Sequence, residues 1–112
     1  MSVTPKRLTP AQLTASAATY YTGAANVQTI IKKLTFTNST ATARTVTVYL
    51  VPSGGSAGVT NILTSARAVN VNETYECFEA QGQVLNPGDL IQALSDSATA
   101  VTIAGAVVEV TK

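Results

Sequence analysis

Two runs of alternating apolar and polar residues, at positions 33–37 and 45–50, constrain the fold of this chain more than any other feature. A period of two is typical of β-strands that bury one face, and Thr, Val and Tyr are common in such strands. The alternating apolar residues are predicted to face the core: Leu34, Phe36, Val46, Val48 and Leu50. Residues 38–43 are small and polar, so the two strands are predicted to pair as an antiparallel hairpin at the centre of the core.

Short β-prone segments separated by turn signals recur along the rest of the chain, at intervals of roughly 8 to 15 residues. The clearest turn is Asn86-Pro87-Gly88-Asp89, where proline presets the first central position and glycine supplies the positive φ of the second. This pattern defines a type II turn. About eight short strands without a convincing long helix predict an all-β chain, folded as a single antiparallel β-sandwich of jelly-roll type.

Several segments carry more specific local predictions. Residues 13–22 are predicted to be an edge strand because of their Thr and Tyr content, although a Thr-Pro pair could also begin a helix over residues 11–18. Two adjacent isoleucines at 30–31 break the alternation and predict a β-bulge. Residues 74–80 are predicted to be a strand. Gly105, inside the last strand, predicts a bulge or the close approach of another backbone.

The 112 residues are predicted to form one domain with an N-terminal extension. Residues 1–12 are predicted to be an extended arm, and residues 13–112 a single β-sandwich domain. The arm carries two prolines and two basic residues, and such arms often serve as tethers in assemblies. Leu8 and Leu13 are predicted to pin the arm to the domain.

Neither charge nor hydropathy points to nucleic acid or to a membrane as a partner. Charged residues make up 12% of the chain and the formal net charge is +1. No segment approaches the length of a transmembrane helix, and the first residues lack the apolar stretch of a signal peptide, which predicts synthesis in a cytoplasm. Basic residues dominate up to Arg67, whereas all six acidic residues lie between Glu73 and Glu109. This split predicts a positive and a negative side, unless the antiparallel topology interleaves the two halves.

The residue types present argue against catalysis and metal binding. The sequence contains no histidine, the commonest general base and metal ligand, and its one cysteine, Cys77, is predicted to be buried and unreactive. The glycine-rich loop of residues 52–58 lacks the spacing of a phosphate-binding loop. The residues that could contact nucleic acid fit a solvated strand face better: Lys32, Lys33, Arg44 and Tyr49. We therefore predict a non-enzymatic protein without a cofactor, a metal ion or a nucleic-acid partner.

Four segments that span most of the chain follow one layout. They are Tyr-Tyr-Thr-Gly (20–23), Ile-Lys-Lys-Leu-Thr-Phe-Thr-Asn (31–38), Thr-Val-Thr-Val-Tyr-Leu-Val-Pro (45–52) and Leu-Asn-Pro-Gly-Asp-Leu-Ile (85–91). In this layout the chain resembles small β-sandwich proteins of bacteriophage virions. The resemblance implies a head decoration or cement protein, made in the host bacterial cytoplasm and located in the virion. It also implies a homo-oligomer, a trimer or a dimer, seated on the major capsid protein.

The arm and the outer face of the predicted hairpin are expected to make the contacts with partners. The predicted contact residues are Lys6, Arg7, Leu8, Lys33, Arg44, Thr47 and Tyr49. A charge at Thr47 or Tyr49 should leave folding intact but weaken assembly, whereas Val48→Asp should unfold the domain. The alternative function is a receptor- or carbohydrate-binding module of the tail or head surface, which would need exposed tyrosines around a shallow site.

Overall fold

The computed structural model describes residues 2–111, and this part of the chain contains strands and turns but no helix. The strands are β1 (Ser2–Arg7), β2 (Ala11–Gln12), β3 (Ala18–Thr22), β4 (Gln28–Asn38), β5 (Arg44–Val51), β6 (Ile62–Val69), β7 (Thr74–Glu76), β8 (Val84–Leu85), β9 (Leu90–Ser95) and β10 (Val101–Thr111). The helical alternative for residues 11–18 is therefore wrong. Over the same described range, no helix is long and apolar enough to cross a membrane.

The strands form two antiparallel sheets that enclose one core. In sheet 1 the order is β1, β10, β4 and β7. The short strand β2 pairs with β10 on the same side as β1, and the short strand β8 pairs with β4 on the same side as β7. In sheet 2 the order is β3, β9, β5 and β6. Each sheet thus has four strand positions, and most consecutive strands alternate between the sheets, as in a jelly roll. The predicted all-β, jelly-roll-like sandwich is confirmed.

The predicted hairpin of residues 33–51 is wrong, because its two strands lie in different sheets. β4 lies between β10 on one side and β7 and β8 on the other, while β5 lies between β9 and β6. The linker crosses from one sheet to the other, and the Asn38 side-chain amide holds it by donating to the carbonyl oxygens of Thr42 and Val69, at 2.9 and 3.0 Å. Alternation indicates which residues of a strand are buried, but it does not indicate the neighbouring strand.

The two alternating runs nevertheless form the centre of the core, from opposite sides. Four of the five predicted residues are fully buried: Leu34, Phe36, Val46 and Val48. Leu50 is partly buried and packs against this cluster. Each full burial of an aliphatic or aromatic side chain contributes about 1.5–3 kcal/mol. The predicted core residues are therefore correct although their strand pairing is not.

A β-bulge in β4 changes which residues face the core. Ile31 and Lys33 pair with the adjacent residues 107 and 106 of β10, which leaves Lys32 as an extra residue. Before the bulge the odd-numbered residues of β4 are buried, and after it the even-numbered ones are. The bulge predicted at residues 30–31 exists, displaced by one residue along the strand.

The predicted arm is a strand at the edge of sheet 1. Residues Ser2–Arg7 pair with β10 and have exposed side chains. Leu8, which is 2% exposed, and Leu13, which is fully buried, pin this segment to the core as predicted. The division into an arm of residues 1–12 and a domain of residues 13–112 stays a prediction, and Met1 and Lys112 lie outside the described residues.

Two local predictions have clear outcomes. The type II turn is confirmed, since Gly88 has a φ of 86° and the amide of Asp89 donates to the carbonyl oxygen of Asn86 at 3.0 Å. The strand predicted for residues 13–22 is confined to β3, at the edge of sheet 2. Its first residues instead cross from sheet 1 to sheet 2.

Candidate functional site

The candidate contact surface is the outer face of sheet 1, which points away from the core. The registers of β1, β10, β4 and β8 place four residues side by side: Pro5, Val108, Ile30 and Val84. The sequence neighbours of Ile30, Val84 and Val108 are buried, so these three side chains point outwards. Pro5 lies directly opposite Val108 and therefore on the same face. We call this set the apolar row.

The apolar row is most exposed near the edges of the sheet. Val84 is 46% exposed, and Ile30 and Val108 are partly exposed. Val3, which is 57% exposed, extends the apolar surface along β1. A solvated face of an antiparallel sheet is normally polar. An apolar patch on such a face is typical of a surface that contacts another protein.

The other half of the same face is polar. Lys33 Nζ lies 3.3 Å from Glu76 Oε2, and the hydroxyls of Thr37 and Thr74 are 3.0 Å apart. These contacts join β4 to β7 on the solvent side of the sheet. Exposed pairs of this kind contribute little to stability, so this half has the properties of a solvated sheet face.

A turn at the β7 edge presents an exposed aromatic residue. The strand predicted for residues 74–80 ends at β7, and Phe78 in the following turn is 65% exposed. The turn is tied to β4 at both ends: Cys77 N donates to Leu34 O at 2.9 Å, and Gly82 N donates to Ile31 O at 2.7 Å. Phe78 therefore projects from a fixed backbone, and alternation in the sequence did not identify it.

The residues beneath this turn form a connected cluster. Tyr75 is buried and stacks on Phe36, with ring centroids 6.3 Å apart, and the Arg67 guanidinium lies 4.4 Å from the centroid of the Tyr75 ring. The Tyr75 hydroxyl donates to the carboxylate of Glu79. The cluster thus connects sheet 2, through β6, to the turn at the edge of sheet 1.

The pKa values of three ionisable groups in this cluster differ from their ordinary values, in directions that suit a structural role. The hydrogen bond from Tyr75 lowers the pKa of Glu79 below its ordinary value. Burial, with a smaller contribution from the same hydrogen bond, raises the pKa of Tyr75. Burial also raises the pKa of the Cys77 thiol, which keeps it protonated and unreactive at neutral pH. Cys77 is buried, as predicted.

A second polar cluster ties the arm to both sheets. Lys6 Nζ lies 3.6 Å from Glu109 Oε2, and the hydroxyl of Tyr21 in sheet 2 donates to the same carboxylate oxygen at 2.7 Å. The Tyr21 hydroxyl is also 3.1 Å from the hydroxyl of Thr29 in β4. Burial is the main cause that raises the pKa of Tyr21. These contacts close one end of the sandwich beside β1.

The predicted contact residues of the arm have three different environments. Lys6 is directed towards Glu109, and Arg7 is exposed on the β1 edge. Leu8 was predicted to contact a partner, but the structure places it in the core, with almost no exposed surface. Its amide donates to the carbonyl oxygen of Gly105 at 3.0 Å.

The other four predicted contact residues lie on different sides of the molecule. Lys33 is exposed on the outer face of sheet 1, whereas Thr47 and Tyr49 alternate with the buried residues of β5 on the outer face of sheet 2. Arg44, at the start of β5, has a buried Nε without a hydrogen-bond partner among the described residues. The hairpin surface predicted for partners does not exist, and the patch of lysines, Arg44 and Tyr49 considered for nucleic acid is split in the same way.

The tyrosines do not line a shallow exposed site. The hydroxyls of Tyr21 and Tyr75 bond to carboxylates within the protein, and Tyr75 is buried. The Tyr20 hydroxyl accepts from Thr14 N at 3.3 Å and lies 3.5 Å from the carbonyl oxygen of Gln12. Tyr49 lies apart in β5. This arrangement gives no support to a carbohydrate-binding platform.

Within residues 2–111, no group of three or more His, Cys, Asp or Glu side chains is placed to hold a metal ion. The polar clusters consist of carboxylate, phenol, hydroxyl and lysine groups that bond to one another.

No protein-family model matches the chain, and no curated protein matches its sequence. Solved structures do match. One, described under the words "Bacillus endospore appendages form a novel family of disulfide-linked pili", aligns with a TM-score of 0.57 and 16% identity over 98% of this chain and 88% of that chain. A chain of infectious bursal disease virus, Gx strain, aligns with a TM-score of 0.52 and 12% identity over 99% of this chain. A chain of the T13 viral particle of the same virus aligns with a TM-score of 0.50 and 12% identity over 97%.

At 12–16% identity, these structures are similar to this chain in fold. This chain spans about a third of each viral chain, 33% and 31%. The Bacillus protein is similar in length, since 88% of it is aligned. A similar fold thus occurs in a pilus structure and in a viral particle.

Proposed function

We propose that this protein is a non-enzymatic structural subunit of a bacteriophage virion, which decorates and cements the capsid surface through protein–protein contacts. The observation that carries the proposal is the apolar row on the outer face of sheet 1, an apolar surface on a side of the sandwich that is normally polar. The fold, which is also that of proteins in viral particles and pili, supports a role in assembly.

The proposed partner is the major capsid protein, which the outer face of sheet 1 contacts. This face carries the apolar row together with Arg7 and Lys33, two of the predicted contact residues. Thr47 and Tyr49 lie on the opposite face of the sandwich, so we no longer propose them as capsid contacts. Many copies on one particle allow weak individual contacts to stabilise the shell together.

The test is the addition of purified protein to particles that lack it. The proposal predicts binding at a fixed stoichiometry, measured by co-sedimentation, and a higher temperature of heat-induced genome release. Failure to bind, or binding that leaves heat stability unchanged, would contradict the cementing role.

A matched pair of variants tests which face binds. Val84→Asp places a charge at the exposed end of the apolar row, and Tyr49→Asp places the same charge on the outer face of sheet 2. We expect the dissociation constant for particles to rise at least about tenfold for the first variant and to stay unchanged for the second. The reverse order would place the contact on sheet 2.

A further inference from the structure

We propose that copies of this chain associate edge to edge through sheet 1, with the β1 edge of one copy against the Phe78 turn of the next. This contact deepens the proposed function and names a second copy as an additional partner. It rests on the positions of Arg7 and Phe78, on a second pair of apolar residues, and on the charges of the two edges.

Arg7 and the turn that carries Phe78 lie close to the same level on opposite edges of sheet 1. Arg7 pairs with Ala106, which pairs with Lys33 of β4. The pairing of β4 with β7 ends at Glu76, and the bond from Cys77 N to Leu34 O then places the start of the turn that carries Phe78 beside Leu34, the neighbour of Lys33. A translated copy would therefore bring the guanidinium of one molecule to the aromatic ring of its neighbour, which is a favourable cation–π arrangement.

The apolar row supplies a second contact at a neighbouring level. Its two ends are Pro5 on the β1 edge and Val84 on the β8 edge, and both are exposed. Side-by-side copies would place Pro5 of one molecule next to Val84 of the next. On each edge, the step from the first contact residue to the second runs in the same direction along the sheet: from Arg7 to Pro5 on one edge, and from Phe78 to Val84 on the other. A single side-by-side placement of two copies can therefore form both contacts.

The charges of the two edges are complementary. The β1 edge carries Lys6 and Arg7, and Glu109 lies 3.6 Å from Lys6, so these three residues leave a net charge of +1 on this edge. The opposite edge and its turn carry Glu73, Glu76 and Glu79; Lys33 lies 3.3 Å from Glu76 and Arg67 lies over the Tyr75 ring, so these five residues leave a net charge of −1. Opposite charges favour the meeting of unlike edges and disfavour the meeting of like edges.

The contact is formed by side chains and not by a continued strand ladder. Leu8 N donates to Gly105 O, so in the antiparallel register the even-numbered residues of β1 bond to β10 and the odd-numbered ones face outwards. Pro5, in the middle of that outer edge, has no N–H. Proline on an edge strand prevents pairing with a further strand.

An interface between two different edges is heterologous. Such a contact either closes into a ring or continues as a chain, and it does not form a two-fold dimer. Of the two predicted oligomers, a trimer fits this geometry as a closed ring.

The experiment uses two variants that each destroy one side of the contact. Phe78→Ser removes the aromatic ring, and Arg7→Glu reverses the charge of the opposite edge; both side chains are exposed, so both variants should fold. Val59→Ser is the control, because Val59 is 87% exposed and lies in the loop that joins β5 to β6 of sheet 2. Circular dichroism checks the fold, and sedimentation velocity over a concentration series measures association.

We expect the wild type and Val59→Ser to self-associate, and each edge variant to do so at least about tenfold more weakly. An equimolar mixture of Phe78→Ser and Arg7→Glu should form a 1:1 heterodimer and nothing larger, because each variant keeps the edge that the other has lost. A wild type that is monomeric at every concentration reached, a Phe78→Ser variant that associates like the wild type, or a mixture that stays monomeric would each overturn the inference. Because sedimentation velocity measures self-association of the free protein, its result does not depend on whether the protein binds to particles.

Discussion

Gly105 of β10 lies so close to the carbonyl oxygen of Lys33 in β4 that a β-carbon at position 105 would overlap this oxygen. Lys33 borders the bulge at Lys32, and Gly105 is the neighbour of Ala106, the partner of Lys33. The bulge makes Ile30, and not Ile31, the residue that faces outwards, and Ile30 pairs with Val108 on the outer face of sheet 1. The absence of a side chain at Gly105 thus permits the strand geometry on which the apolar row depends.

Gly105→Ala should destabilise the fold, because either β10 or β4 must move to accommodate the methyl group. We expect a loss of about 1–3 kcal/mol in the free energy of unfolding. Urea denaturation measures this loss. Gly58→Ala is the matched control, since a β-carbon there would contact nothing within 4 Å, and its effect should stay within about 0.5 kcal/mol. Equal effects of the two substitutions would contradict the close contact.

Val48→Asp should abolish folding, whereas Tyr49→Asp should not. Val48 is fully buried at the centre of the core, and an unpaired carboxylate there costs more than about 4 kcal/mol, a large part of the stability of a typical domain. Tyr49 is partly exposed on the outer face of sheet 2. Circular dichroism and thermal unfolding distinguish the two variants. A folded Val48→Asp protein would contradict the position of Val48 in the core.

Tyr75→Phe should make stability less dependent on pH at both ends of the range. The lowered pKa of Glu79 stabilises the fold above the ordinary carboxyl value of 4.5, and this contribution is lost as the pH falls below it. The raised pKa of Tyr75 stabilises the fold below the ordinary phenol value of 10.0, and this contribution is lost as the pH rises above it.

At neutral pH the same substitution should cost about 1 kcal/mol, because it removes one hydrogen bond to Glu79. Urea denaturation at acidic, neutral and alkaline pH measures all three effects. Tyr49→Phe serves as the control outside the cluster. A Tyr75→Phe protein with the pH profile of the wild type would show that the hydroxyl and the carboxylate do not interact in solution.

Leu8→Ala should loosen β1 without unfolding the sandwich. Leu8 inserts the arm into the core, while the side chains of Ser2–Arg7 are exposed and contribute little burial. In the wild type, the amides of Thr4 and Lys6 face β10 and should exchange hydrogen slowly, whereas that of Val3 should exchange fast. The substitution should remove this protection selectively. Unchanged protection would mean that the arm is held by other contacts.

Local sequence patterns predicted which residues are buried, because alternation and turn chemistry depend on neighbouring positions. Leu34, Phe36, Val46 and Val48 are buried, and the Pro87–Gly88 turn forms, as those patterns indicate. The pairing of strands depends on contacts between distant parts of the chain, which is why the hairpin was wrong.

The candidate contact surface could not be predicted for the same reason. The apolar row joins residues from four strands, from Pro5 to Val108, that only the registers of sheet 1 bring together. The sequence predicted only that Phe78 belongs to a strand over residues 74–80, and large aromatic residues are usually buried. Its exposure follows from the two backbone bonds that fix its turn against β4.

The central claim is that the outer face of sheet 1 contacts the capsid. Electron cryomicroscopy of particles that carry the protein tests it most directly, because the map shows which face of the sandwich lies on the shell. The account predicts that Ile30, Val84 and Val108 lie against the major capsid protein and that Tyr49 faces away from the shell. A map with Tyr49 and the outer face of sheet 2 against the shell would contradict it.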